Sequence, residues 1–160
     1  MKLFGLAGLL SMILLVPSTA SAQEERVLPV VSGFTLSPDV FAVGQGTTMR
    51  YTLSEDASVY FGIGREQRGL RSRIGLCWAV IRPIGRRLWR RYPKRRCGAL
   101  KPITVLTATG VTGPNSFVFS GRIGGRALQP GRFRVGMNAI DAAGNSSADH
   151  ASRFQVVPQS

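Results

Sequence analysis

Residues 132–141 read Arg-Phe-Arg-Val-Gly-Met-Asn-Ala-Ile-Asp, and this stretch decides the fold class. Its side chains Phe133, Val135, Met137 and Ala139 are apolar and occur at every second position. A period of two residues is typical of a β-strand with one face in a protein core, because successive side chains of a strand point to opposite faces. The stretch therefore predicts a strand that is buried on one face.

The same alternation recurs along the chain in six further segments. They are Val30–Leu36, Thr47–Leu53, Ala57–Ile63, Ile103–Thr107, Ser116–Ile123 and Arg153–Val157. Turn-forming residues separate these segments at intervals of about ten residues, except where one basic segment intervenes. About seven short strands in this arrangement are typical of an all-β antiparallel sandwich. Outside the basic segment, no stretch has a convincing amphipathic helical period.

Residues 1–22 have the three parts of an export signal peptide. Lys2 supplies the positive charge, Leu3–Val16 forms an apolar run, and Ala20 and Ala22 provide the small residues of a cleavage site. The run of about 14 residues is short for a membrane-spanning helix. We therefore expect an exported protein that is secreted or associated with the cell surface, with no transmembrane segment after cleavage. An uncleaved N-terminal anchor is the alternative.

Cleavage would leave a linker at residues 23–29 and a single domain at residues 30–157, with an insertion at residues 66–100. The two cysteines, Cys77 and Cys97, both lie in this insertion. In an exported protein an even number of cysteines predicts a disulfide, which would stabilise the fold by roughly 3 kcal/mol for a loop of about 20 residues. Two free thiols or half of a metal site are the alternatives, although the chain has no histidine near either cysteine.

Positive charge is concentrated in the insertion. The chain has 21 Lys and Arg against 8 Asp and Glu, and thirteen of the basic residues but only one acid, Glu66, lie between Arg65 and Lys101. The remainder of the mature chain has seven basic and seven acidic residues. A nearly neutral scaffold therefore carries one strongly basic segment. A generally Arg-rich composition accounts for part of this excess of arginine.

Three segments of the sequence resemble a known family: Thr47–Arg65, Phe119–Val135 and Ala139–Ser147. The second reads FSGRIGGRALQPGRFRV and the third reads AIDAAGNSS. With the basic two-cysteine insertion, they resemble bacterial secreted immunoglobulin-like (fibronectin-III-like) domains over residues 30–157. The resemblance implies an Ig-like β-sandwich that serves as a spacer or a binding unit in a secreted or cell-surface protein. Phe133 stands where the family usually has tyrosine, so the tyrosine-corner hydrogen bond cannot form there.

Asp141, Gly144 and Asn145 are interpreted as turn residues. We expect the Asp141 carboxylate to accept hydrogen bonds from turn amides, and both Gly144 and Asn145 can adopt left-handed backbone geometry in the last hairpin. A calcium site at Asp141 and Asn145 is the alternative, but calcium needs six or more oxygen ligands and acids are sparse in this chain. We therefore expect no metal and no cofactor.

Residues suited to catalysis are scarce. His150 is the only histidine, and it lies beside Asp149 without a nucleophile motif. No pair of acids suggests glycoside hydrolysis, and the glycines lack the spacing of a phosphate-binding loop. The sequence therefore predicts a protein that is not an enzyme.

The segment from Cys77 to Cys97 mixes basic and aromatic side chains. The anion-binding candidates are Arg82, Arg86, Arg87, Arg90, Arg91, Lys94, Arg95 and Arg96, and the candidates for aromatic contacts are Trp78, Trp89 and Tyr92. Arginine binds phosphate and carboxylate groups with two parallel hydrogen bonds, and Trp and Tyr favour the membrane–water interface. Because Pro83 and Pro93 oppose a continuous helix, we expect two loose strands here.

Three functions are consistent with this segment. The first is binding to anionic polymers of the cell envelope, to glycans or to lipid. The second is binding to nucleic acid outside the cell, a partner that export makes less accessible. The third is a purely structural spacer with a solvated basic loop, in which Trp78 or Trp89 packs back on the sandwich. The sequence carries no signal of oligomeric state.

Overall fold

A computed structural model describes residues 27–80 and 84–159, with the backbone alone at residues 84–86. The expected signal peptide at residues 1–22 lies outside these ranges. Within them the chain forms eleven strands, one α-helix and one 3-10 turn. The strands are β1 (Val31–Ser37), β2 (Val40–Ala42), β3 (Thr47–Leu53), β4 (Ala57–Arg71), β5 (Cys77–Ala79), β6 (Arg96–Gly110), β7 (Gly113–Phe119), β8 (Arg122–Ile123), β9 (Arg126–Ala127), β10 (Gly131–Ile140) and β11 (His150–Val157), and the helical elements are α1 (Ile84–Arg91) and the 3-10 turn Pro93–Arg95.

The protein is all-β, as the alternating segments predict. Seven of the described strands have seven or more residues, and the other four have two or three. The helix has only eight residues. In residues 27–80 and 84–159, no helix has the length and apolar character needed to cross a membrane.

Two sheets share one core. The first is antiparallel and has the order β1-β3-β7. In the second, β4 pairs with β10 on one edge and with β6 on the other, β10 pairs with β11, and β11 pairs with the short parallel strand β2. The strand β5 joins the far end of β4, beyond the residues that pair with β10. The β8–β9 pair lies in the connection between β7 and β10.

The core lies between the two sheets, and its residues come from the faces that alternation predicts to be buried. In β3, Met49, Tyr51 and Leu53 are buried, and so are the alternating apolar residues of β4, β10 and β11. These buried positions are Val59, Phe61, Ile63, Phe133, Val135, Met137, Ala139, Phe154 and Val156. The prediction of one buried face for each of these strands is therefore confirmed.

Phe61 on β4 connects the second sheet to every strand of the first. Its ring centroid lies 6.3 Å from Phe34 of β1, 5.7 Å from Tyr51 of β3 and 5.0 Å from Phe117 of β7. Its side chain is fully buried. Aromatic pairs at such distances stabilise a fold by more than the burial of their apolar area alone would. This ring therefore helps to fix how the two sheets are placed relative to each other.

The inserted segment is more regular than the sequence suggested. The strands β4 and β6 continue into it as far as Arg71 and from Arg96 onward. The expectation of two loose strands is wrong for residues 84–91, which form α1. Pro83 precedes the helix in the sequence and Pro93 follows it. Prolines in these positions delimit a helix, because only an interior proline removes a needed hydrogen bond.

Truncating Phe61 tests the account of the core. Phe61→Ala should lower the free energy of unfolding by about 3–5 kcal/mol, because it leaves a cavity between the sheets. Urea denaturation followed by circular dichroism measures the effect. The matched control is Val118→Ala, because Val118 is 74% exposed and should change stability by less than about 0.5 kcal/mol. A loss below about 1 kcal/mol for Phe61→Ala would contradict the central role of this ring.

Candidate functional site

The basic segment is built on β4 and on β6, the edge strand that pairs with it. Pairing of β4 with β6 runs from Ala57 opposite Gly110 to Leu70 opposite Arg96, with one irregularity after Ile63. The last residue of β4 that pairs with β10 is Arg65. Beyond Arg65, β4 and β6 therefore form a ribbon that extends past the end of their sheet partner β10. We call residues 66–100 the basic arm.

A disulfide joins Cys77 to Cys97 in the basic arm, as predicted, with 6.1 Å between the Cα atoms. Cys77 lies on β5 and Cys97 on β6, and both strands pair with β4. The bond therefore bridges two strands that flank a common neighbour. It closes the end of the ribbon by a covalent connection across β4.

Gly69 of β4 makes room for this bond. The residue pairs with Ala79 on one side and Cys97 on the other. A Cβ atom at Gly69 would lie 2.6 Å from the Cys77 sulfur and 2.9 Å from the Ala99 Cβ. Real Cβ atoms do not approach other atoms so closely, so the disulfide and the ribbon depend on a glycine at this position.

The helix α1 is held to the ribbon through Trp89. The Cζ atoms of Arg68 and Arg96 lie 5.8 Å and 5.2 Å from the centroid of the Trp89 ring. Arg96 also donates a hydrogen bond from Nε to the Trp89 carbonyl oxygen, at 3.0 Å. Each cation–π contact of this kind contributes about 0.5–1 kcal/mol at an exposed site. Two arginines from different strands therefore fix one aromatic side chain.

A second group of contacts ties the 3-10 turn to the end of β4. The Cζ atoms of Arg91 and Arg95 lie 5.9 Å and 5.5 Å from the Tyr92 ring centroid. Arg95 donates from Nε to the carbonyl oxygen of Arg71, at 2.8 Å. Several basic side chains thus have a defined position, although they repel one another electrostatically.

The one acid of the basic arm does not neutralise it. Glu66 lies at the base, where its Oε1 is 2.9 Å from Nε of Arg153 and 3.7 Å from Nη2 of Arg134. Both of these arginines belong to the scaffold. In the part of the chain that the structure describes, no basic residue of the basic arm forms an ion pair. The Glu66 carboxylate therefore does not balance the positive charge of the arm.

The anion-binding candidates of the sequence fall into two groups in the structure. Arg87, Arg90, Arg91, Lys94, Arg95 and Arg96 are exposed and lie together on α1, the 3-10 turn and the start of β6. Arg82 and the side chain of Arg86 lie outside the described residues. Of the aromatic candidates, Trp89 is half-buried, whereas Tyr92 is 38% exposed and Trp78 is 63% exposed. Trp89 packs on arm arginines, and Trp78 remains open to solvent.

An open groove of about 550 Å³ lies where the basic arm meets the scaffold. Its lining is Glu66, Gln67, Arg68, Trp89, Arg96, Cys97, Gly98 and Arg132. His150, the single histidine, is not among these residues and lies at the start of β11. Over the described ranges, no three His, Cys, Asp or Glu side chains form a cluster that could hold a metal ion.

Asp141 organises the turn between β10 and β11. Its Oδ1 accepts from the backbone amide of Asn145 and its Oδ2 from the Asn145 side-chain amide, both at 2.8 Å. The side-chain hydrogen bond from Asn145 is the main reason that the pKa of Asp141 is lowered, and backbone amides of the turn add to it. Of the two residues that can adopt left-handed backbone geometry here, Gly144 does so, with φ of +84°, and Asn145 does not, since no described residue other than glycine has positive φ.

Comparisons with known proteins assign the chain to no family. No family model matches it, and no curated protein matches it. Among solved structures it is similar to the alkylpurine DNA glycosylase AlkC of Pseudomonas fluorescens, bound to DNA containing an abasic site analog. The identity is 10% and the TM-score 0.33, over 80% of this chain and 30% of that chain. The chain thus spans less than a third of that glycosylase, and a likeness this distant carries no functional information.

Filling the space above Gly69 tests the architecture of the basic arm. Gly69→Ala should strain the disulfide-bonded form by about 1–3 kcal/mol, as overpacking does elsewhere. At a fixed thiol concentration, the ratio of oxidised to reduced protein should fall about 5- to 150-fold. Mass spectrometry after alkylation in a glutathione buffer measures this ratio. The control is Gly98→Ala, because a Cβ there meets no atom within 4 Å. Equal ratios in the two variants would contradict the role of Gly69.

Proposed function

We propose that the protein is a secreted, non-enzymatic module with an Ig-like (fibronectin-III-like) fold whose basic arm binds an anionic surface of the cell envelope. The strand order supports the fold: β1-β3-β7 corresponds to strands A, B and E of an Ig-like sandwich, and β4, β10 and β11 correspond to C, F and G. The strand β6 then takes the place of the additional edge strand beside C. The disulfide is compatible with export, because disulfides persist where thiols are not kept reduced.

One observation carries the binding function. The exposed cations of the basic arm are held on a disulfide-closed ribbon, and the only acid of the arm pairs with Arg134 and Arg153 of the scaffold. Cations that repel one another and have no carboxylate partner are stabilised by an external anion. Arginine provides paired donors that fit phosphate and carboxylate oxygens. Envelope polymers and lipids carry such phosphate and carboxylate groups.

Neutralising the arm tests this proposal. Arg87, Arg90 and Arg91 are exposed on α1 and are replaced together by glutamine. With about 1 kcal/mol for each basic residue near an anionic surface, the triple variant should bind about 100-fold more weakly at low salt. Sedimentation with phosphatidylglycerol vesicles and with purified cell wall measures binding. Because screening grows with ionic strength, wild-type binding should also weaken as salt is added.

The control removes the same charge from the scaffold. Arg50, Arg122 and Arg126 are exposed outside the basic arm, and their triple glutamine variant should bind nearly as the wild type does. If both triple variants bind equally, net charge alone acts and the arm is a solvated spacer. If the protein binds DNA but neither vesicles nor wall, its partner is nucleic acid and the proposal is wrong.

A further inference from the structure

The β4–β5 turn is a closed structure at the far end of the basic arm. The Ser72 amide donates to the Leu76 carbonyl at 2.7 Å, and the Leu76 amide donates to Ser72 Oγ at 3.1 Å. The Gly75 amide donates to the Ser72 carbonyl at 3.2 Å, with φ of +87° at Gly75. Arg71 also donates from Nη1 to the Gly75 carbonyl, at 3.1 Å. Four hydrogen bonds therefore fix the shape of this turn.

Large apolar side chains project from this turn and from the strand that follows it. Ile74 is 80% exposed, Leu76 is 54% exposed and Trp78 is 63% exposed. Single exposed apolar residues are common on soluble proteins. Here three large ones occur at every second position, on a turn that its own hydrogen bonds hold in place. We call Ile74, Leu76 and Trp78 the apolar tip.

Basic residues belong to the hairpin of the apolar tip or are hydrogen-bonded to it. Arg71 and Arg73 are in the same hairpin and are exposed, and Arg95 is attached to the Arg71 carbonyl by its hydrogen bond at 2.8 Å. Tyr92 lies beside Arg95, with 5.5 Å between its ring centroid and the Arg95 Cζ atom. Apolar side chains, interfacial aromatic residues and cations therefore meet at one end of the molecule.

This combination of apolar, aromatic and basic side chains distinguishes a lipid bilayer from a hydrated anionic polymer as the surface that is bound. A hydrated polymer of phosphates or uronic acids can pair with arginines, but it offers no apolar phase for Ile74 and Leu76. A lipid bilayer offers both, because its acyl chains accept aliphatic residues, its interface favours Trp and Tyr, and anionic headgroups attract Arg. The chemistry of the apolar tip and its surroundings therefore matches an anionic lipid surface.

We propose that the apolar tip inserts into the outer part of an anionic bilayer while Arg71, Arg73 and Arg95 bind headgroup phosphates. This inference rests on the proposed function and names its ligand as lipid. Cations bring the protein to the surface, and the apolar tip then retains part of the binding after salt has weakened the contribution of the charges. The disulfide and the closed turn hold the tip ready, so little conformational freedom is lost on binding.

Substitutions in the apolar tip separate insertion from adsorption. The double variant Ile74→Ser with Leu76→Ser keeps every charge, and it should bind phosphatidylglycerol vesicles at least about tenfold more weakly in high salt because less apolar surface leaves water. Its binding to purified cell wall at low salt should equal that of the wild type. The control is Val105→Ser with Val118→Ser, at positions 62% and 74% exposed on the scaffold, and its vesicle binding should not change.

The two tryptophans report insertion directly. Trp89→Phe leaves Trp78 as the single tryptophan, and Trp78→Phe leaves Trp89, which is packed against Arg68 and Arg96. With vesicles of brominated phosphatidylglycerol, we expect a blue shift and strong quenching for Trp78 and much weaker quenching for Trp89. Absence of quenching at Trp78, or wild-type affinity of the double serine variant, would overturn insertion.

These outcomes are distinct from failure of the proposed function. If the arm charge variant loses binding while the double serine variant binds vesicles like the wild type, adsorption stands and insertion is wrong. If the wild type binds cell wall but not vesicles, the anionic surface is a polymer and insertion is again wrong. If it binds neither, both proposals are wrong.

Discussion

The pairing of β4 with β6 is the interaction on which the rest of the structure depends. At one end of β4, Phe61 contacts an aromatic ring from each strand of the opposite sheet. At the other end, the disulfide joins β6 to β5, and Arg68 of β4 and Arg96 of β6 lie over the Trp89 ring of the helix. Core and arm are therefore parts of one ladder of hydrogen bonds, and the stability of the sandwich is transmitted to the arm through its strands.

The basic arm brings like charges together, and the fold has to oppose their repulsion. Pairing of β4 with β6 positions the strands, and the disulfide limits the freedom of the unfolded segment. Gly69 allows that bond to cross β4, and Trp89 holds α1 between Arg68 and Arg96. Such an arrangement is suited to a surface whose anions relieve the repulsion. The proposals of surface binding and of lipid insertion both follow from charge and apolar groups held in a fixed geometry.

The sequence predicted most of the scaffold and only part of the arm. Alternation identified the buried faces of β3, β4, β10 and β11, because a half-buried strand imposes a period of two. The same signal fails beyond Arg65, where arginines and glycines replace the apolar positions, so the strand ends at Arg71 and Arg96 were missed. The helix α1 was missed because its flanking prolines were interpreted as interruptions. The close approach of Gly69 to Cys77 involves three strands, and no local pattern encodes it.

Hydrogen–deuterium exchange of the free protein tests most directly whether the arm is an ordered extension of the core sheet. The relevant amides are those of residues 66–71 and 96–100, compared with residues 57–65 and 103–110 of the same two strands. Exchange is slow where hydrogen bonds open only with large parts of the fold. The account predicts slow exchange of the amides that donate within the β4–β6 ladder, in both of its halves. Faster exchange is expected at exposed turns and at the amides that the edge strand β6 directs away from β4. Rapid exchange throughout residues 66–71 and 96–100, with the disulfide intact, would contradict it.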